Sequence, residues 1–384
     1  MFRKTIFWIH LISGLISGVV IAIMSITGIA IAFEHEILHW IDEELAHVEA
    51  PANAQVKSIA ELIQIVRAER PDFPANYLVI PNEPDGAYQF MVGFGNPVYA
   101  NPYTGELADT KAAAAHDIIH ELEVWHRFLG MSGDETWIIG RHINGACNLA
   151  FLLLCITGIY IWFPRAMKWR LFKNALFFKR KAKGKARDWN WHNVFGIWNL
   201  PVLVTLAATA VVISYEWGHK IPFKLYGEEA PESRNFGMMA VEPAVVPTPE
   251  LGAKLLTLEE AIQSTKDQYP NWVSIGIRLP KPTPKGEIAA SLKLDLTRPD
   301  YMPSRAWAPV EVDPYTGEIL QITTFQDRSP GLRARVWTRF IHTGGAYGIW
   351  GKIIATIATA ASLFLVYTGF ALSWRRFFAK AGKT

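Results

Sequence analysis

Four histidines raise the chemical question. His10 lies in a run from Ile6 to Phe33 that holds no Asp, Glu, Lys or Arg, and His192 opens a second apolar run of the same kind. His126 and His342 stand just ahead of two further apolar runs, each beside aromatic residues and a glycine-containing turn. An imidazole in or beside hydrocarbon is costly without a partner, so such a residue marks a candidate site. Neutral imidazole is a transition-metal ligand, and two of them on opposite sides of one iron make an axial pair for b-type haem. Gly14 and Gly196 follow His10 and His192 by four residues, one turn on along the same face. A glycine there leaves room for a flat macrocycle; it also serves plain helix packing, with the histidines as interfacial polar groups.

Repetition favours the metal reading. His10, Gly14, Thr27 and Glu34 recur at one constant interval as His192, Gly196, Thr209 and Glu216. Ser58-Ile-Ala-Glu61 and Pro71 return as Thr257-Leu-Glu-Glu260 and Pro270, and Asn101-Pro-Tyr-Thr-Gly-Glu106 returns as Asp313-Pro-Tyr-Thr-Gly-Glu318. The chain reads as a tandem duplication. The pairs His10/His192 and His126/His342 then predict two bis-His haem b sites, one near each membrane face.

Other candidates compete. His35, His39 and His142 stand at a height similar to the outer pair. His116 and His120, like His35 and His39, are four apart, a zinc or copper spacing that also arises on any solvated helix face. No third ligand lies near either pair, which favours the solvated face. Cys147 and Cys155 are eight residues apart, ~12 Å on a helix, too far for a disulfide. No C-x-x-C-H occurs, so haem attached in the c-type manner is excluded.

The 384 residues are 50% hydrophobic and only 19% charged, which suits a membrane protein with sizeable soluble parts. The spacing predicts transmembrane helices at 6–33, 140–163, 191–215 and 347–374. Between them lie an α+β module at 34–139, a basic loop at 164–190 and a second α+β module at 216–346, with a tail at 375–384. The first span is too long for a signal peptide and lacks a small-residue cleavage site, so it is expected to be retained.

Charge orients the chain. Arg3 and Lys4 precede the first span, ten Lys or Arg and no acid fill 165–187, and Arg375, Arg376, Lys380 and Lys383 end the chain. By the positive-inside rule these segments are cytoplasmic and both modules extracytoplasmic. Trp169, Phe172, Phe177 and Phe178 interleave with the basic loop, whose place between two spans points to anionic lipid rather than nucleic acid.

These residues resemble the PepSY-associated transmembrane family, often called iron-regulated membrane proteins. The likeness covers nearly the whole chain: His10-x-x-x-Gly14, both Tyr-Thr-Gly-Glu modules, Trp125-His126-Arg127, Ile341-His342-Thr-Gly-Gly and the Thr-Gly…Trp ends of spans two and four. The resemblance implies a four-helix membrane bundle with two PepSY-like modules. Some members are bacterial inner-membrane, haem b-containing ferric-siderophore reductases, which implies a ferric siderophore, of hydroxamate type, as substrate and His10, His192, His126 and His342 as haem ligands. Hard-oxygen chelators hold Fe(III) better than Fe(II), so one electron would loosen the metal. No Rossmann or flavin fingerprint is visible, which leaves a quinol or a partner protein as electron donor. The rival expectation is a non-catalytic, membrane-anchored sensor or protease-inhibitor-like protein. A proton-coupled transporter is disfavoured, because the spans lack deep acidic residues.

Overall fold

The computed structural model describes residues 1–51, 54–93, 95–231, 244–281, 283, 287–302 and 307–378; Lys380 and Lys383 lie outside them. In the first half of the chain the helices are α1 (Phe2–Ile31), α2 (Glu34–Ile41), α3 (Glu43–Ala46), α4 (Ile59–Glu69), α5 (Ala113–Phe128) and α6 (Thr136–Trp162). The second half adds α7 (Trp169–Leu176), α8 (Gly184–Ser214), α9 (Glu216–Leu225), α10 (Leu258–Gln268), α11 (Pro330–His342) and α12 (Gly348–Phe377). Strands β1 (Tyr77–Pro81), β2 (Tyr88–Met91), β3 (Val98–Ala100) and β4 (Leu107–Asp109) precede α5. Strands β5 (Ser274–Arg278), β6 (Leu292–Thr297), β7 (Trp307–Val312) and β8 (Ile319–Ile322) follow α10. Two compact units result: residues 1–34, 118–234 and 334–384 in one, 35–117 and 235–333 in the other.

Four helices, α1, α6, α8 and α12, are long and apolar enough to cross a membrane. Helix α1 packs on α6 and α12, and α8 packs on the same two, so α1 and α8 face each other diagonally. The hydrophobic effect does not hold such helices together in lipid; close van der Waals packing and hydrogen bonds do. Ser25 meets Ser362 at 2.6 Å between α1 and α12, and Asn148 Nδ2 donates to the Ala207 carbonyl at 3.0 Å between α6 and α8. At the first of the basic ends, Arg3 donates to the Ile161 and Phe163 carbonyls, the orphan acceptors at the end of α6. Fully buried Asp188 on α8 is held between Arg187 and Arg375, tying the start of α8 to the end of α12. The helices overrun the apolar limits read from sequence, because hydropathy marks the lipid-suited stretch and the backbone continues through polar residues such as Lys185 and Arg187.

The strands of the second unit form one antiparallel sheet among the described residues, in the order β4-β3-β2-β1-β5-β6-β7-β8. The expectation of two modules, each with its own sheet, needs this adjustment: the opening strands β1 and β5 pair, with Val79 opposite Gly276. Each would otherwise leave a row of backbone groups unpaired at an edge. Tyr77 crosses the seam to donate to Asp295 at 2.9 Å, and a Cβ at Gly276 would lie 1.8 Å from its hydroxyl oxygen. Alternate strand residues join Ile59, Leu62, Val66, Ala261 and Ile262 of α4 and α10 in one apolar core. Both helices start on a capping box, Ser58 with Glu61 and Thr257 with Glu260. Asn101 and Asp313 each accept from two backbone amides of the Pro-Tyr-Thr-Gly turn, whose Gly105 and Gly317 take φ of +82° and +73°.

Asp42, 3% exposed, is the polar knot of the first half of this unit. It accepts from Tyr99, Thr110 and the amides of Lys111 and Ala112. Asp42→Ala strands these donors and is expected to cost about 3 kcal/mol. Thermal unfolding of the full chain followed on the β-sheet signal checks it; an unchanged midpoint would show the carboxylate to be dispensable.

Candidate functional site

The helix ends bring the four histidines together in pairs, within the unit that carries the long helices. His10 on α1 and His192 on α8 face one another across the diagonal, ring centroids 6.3 Å apart and planes at 85°. His126, near the end of α5, and His342, at the end of α11, are seated against α1 and α8, the same diagonal helices that carry His10 and His192.

Each ring is seated on a threonine of a neighbouring long helix. His10 Nδ1 is 2.9 Å from Thr157 Oγ1, and His192 Nδ1 is 2.9 Å from Thr368 Oγ1. His126 Nδ1 is 3.0 Å from Thr27 Oγ1, and His342 Nδ1 is 3.1 Å from Thr209 Oγ1. Every one of these hydroxyls gives its single proton to the carbonyl four residues back: Leu153, Phe364, Ile23 and Thr205. Each threonine oxygen therefore accepts, and Nδ1–H of each histidine donates. The Leu206 carbonyl, 3.1 Å from His342 Nδ1, demands the same tautomer. With the proton on Nδ1, Nε2 carries the lone pair, and it has no partner among the described residues. An outer hydrogen bond of this kind is what holds the ring of a metal-ligating histidine in place elsewhere.

Small residues finish the seats. A Cβ at Gly158 would lie 3.4 Å from His10 Cε1, at Gly369 3.8 Å from His192 Cε1 and at Gly28 3.0 Å from His126 Cε1. A Thr-Gly pair thus bonds one edge of the ring and clears space for it; the fourth seat has Thr209-Ala210. The threonines' role is not evident from the sequence alone, although three of the four spans carry the Thr-Gly dipeptide. A Cβ at Gly14 or Gly196 would lie 3.7 Å from Leu154 or Leu365 of the adjacent helix.

The competing residues are placed elsewhere. His142 is exposed, its Nδ1 on the Ile138 carbonyl of its own helix at 2.7 Å. His35 and His39 are exposed, their rings stacked 6.3 Å apart in the unit that holds the sheet. Among the described residues no three His, Cys, Asp or Glu side chains gather as a metal cluster.

Close backbone approaches fix the outer pair. A Cβ at Gly140 would lie 2.0 Å from the Phe128 carbonyl oxygen, and at Gly351 2.2 Å from that of Gly344. In each case the approached carbonyl lies two residues beyond the histidine. Gly140→Ala or Gly351→Ala is expected to displace that helix end, at about 2 kcal/mol, and to weaken any ligand of His126 and His342 without touching His10 and His192. Optical titration of each site checks this; unchanged outer binding in both variants would contradict it.

The profile of the PepSY-associated TM region matches residues 7–376. The chain belongs to that family. A comparison with curated proteins gives no match. For this member of the PepSY-associated TM family, the match spans all four long helices and both histidine pairs.

Proposed function

We propose that this protein is a haem b-containing oxidoreductase of the bacterial inner membrane. It passes electrons across the bilayer to reduce a ferric siderophore, of hydroxamate type, and releases Fe(II) on the outer side. The observation that carries the reading is the His10/His192 pair. Their ring centroids stand 6.3 Å apart, close enough for both imidazoles to hold one iron between them. The donor set suits haem because it offers two neighbouring imidazoles, each with its Nδ1 engaged and its Nε2 left for a metal.

His10 and His192 would hold the inner haem, His126 and His342 the outer one. Haem supplies a one-electron couple when bound. The chain's own contribution is placement: threonines fix each tautomer, glycines clear each ring, and long helices carry the pairs to opposite ends. The recurrence of this seat in both halves of the chain supports the tandem-duplication reading. The basic segments at Arg3–Lys4, 165–187 and Arg375–Arg376 support cytoplasmic termini and an extracytoplasmic sheet unit. A quinol or a cytoplasmic reductase would deliver electrons, and anionic lipid would meet the basic loop.

Dithionite-reduced protein mixed with a ferric hydroxamate siderophore and a ferrous trap tests the activity. Haem reoxidation should match trapped Fe(II) one for one. His126→Ala and His342→Ala should each slow both at least tenfold while the inner haem stays bound. Reoxidation at the wild-type rate in both variants would place electron exit elsewhere.

A further inference from the structure

Two buried donors near the outer pair have no acceptor among the described residues. Arg335 on α11 and His219 on α9 are 5% and 1% exposed. Arg335 Nε donates to His219 Nδ1 at 3.0 Å, so that nitrogen accepts and the ring proton sits on Nε2. Burial first, then the charge of Arg335, holds His219 below its ordinary pKa, in keeping with a neutral ring. Among the described residues neither its Nε2–H nor Arg335 Nη1 has a hydrogen-bond partner of ordinary geometry, although the Pro231 backbone lies near the ring. Both orphans are donors, and one belongs to a guanidinium that cannot lose its charge.

The surroundings add positive charge. Arg339 lies one turn from Arg335, and Lys220 follows His219. Glu216, the carboxylate that His219 senses, is engaged with Lys220 at 3.2 Å near the surface. Among the described residues no carboxylate pairs with Arg335. A buried cation in this condition calls for an anion. Arg335 also precedes His342 by seven residues, two turns of α11, so both leave the same face ~10 Å apart along the axis. At the intervals that align His10 with His192 and His126 with His342, the first half has Ile37 and Ile119 instead.

We infer that Arg335 and His219 form a carboxylate-binding site, and that its ligand is a propionate of the haem at His126 and His342. The inference rests on the haem reading above. A soluble carboxylate has the same chemistry, and the experiment separates the two sources. Full-length apoprotein, produced under haem starvation, is titrated in detergent with haem b and with its dimethyl ester, and each site is followed in the Soret region. The outer site should bind the ester roughly 10–100-fold more weakly than haem, the worth of one or two charge-assisted hydrogen bonds; the inner site should not distinguish them. Arg335→Gln should weaken haem by a similar factor and leave ester binding unchanged. His219→Gln, which keeps a donor amide, serves if that variant does not fold, and should retain most of the preference. Equal affinity for haem and ester at the outer site of the wild type overturns the inference. Competition by citrate together with that equality assigns the site to a soluble anion and overturns the propionate. Failure to bind haem at all overturns the haem reading itself, an outcome distinct from bound haem that ignores esterification.

Discussion

His10→Ala and His192→Ala are each expected to remove the same haem, taking the protein from two haems per chain to one. The two rings share one gap from diagonally opposed helices, so losing either leaves an iron with a single protein ligand. His126 and His342 lean on Thr27 and Thr209, not on the inner pair, so the second haem is the internal control for folding. Haem quantitation and the reduced α-band, measured on both variants beside wild type, decide the matter. Loss of different haems, or of both haems from one variant alone, would break the pairing.

Thr157→Val and Thr368→Val carry the second large effect. Valine keeps the shape of threonine but removes the oxygen on which His10 or His192 rests Nδ1–H. The ring is then free to swing or to hold its proton on Nε2, which blocks ligation. Loss of such an outer partner typically weakens a metal ligand 10–100-fold, and each variant should weaken inner haem binding by that factor. Thr157→Ser and Thr368→Ser restore the acceptor and should bind almost as wild type. Valine variants that match the serine variants would reduce the threonines to spacers.

Much of this arrangement was legible in the chain, and the reasons are local. Long uncharged runs announce the spans; fixed-interval recurrence singles out His10/His192 from eleven histidines, and a similar distance from each Tyr-Thr-Gly-Glu turn adds His126/His342. The capping boxes at Ser58 and Thr257 and the Asn101 and Asp313 turns are contacts between near neighbours in sequence, so residue type suffices to find them. What the sequence hid depends on contacts far apart in the chain. Thr157 meets His10 across 147 positions, and β1 pairs with β5 across nearly two hundred. The neighbour of Gly14 was hidden for the same reason: which face of α1 meets Leu154 is decided by packing between helices, and the i to i+4 rule sees one helix alone.

We propose that the paired imidazoles hold two b-type haems. The most direct measurement is a reduced-minus-oxidised absorption spectrum of the detergent-purified protein, with haem extracted by acid acetone and counted against protein. Two extractable haems per chain, with the sharp α-band of six-coordinate low-spin iron, are the predicted result. A folded, colourless protein that shows no bound-haem Soret shift when titrated with haem would contradict this.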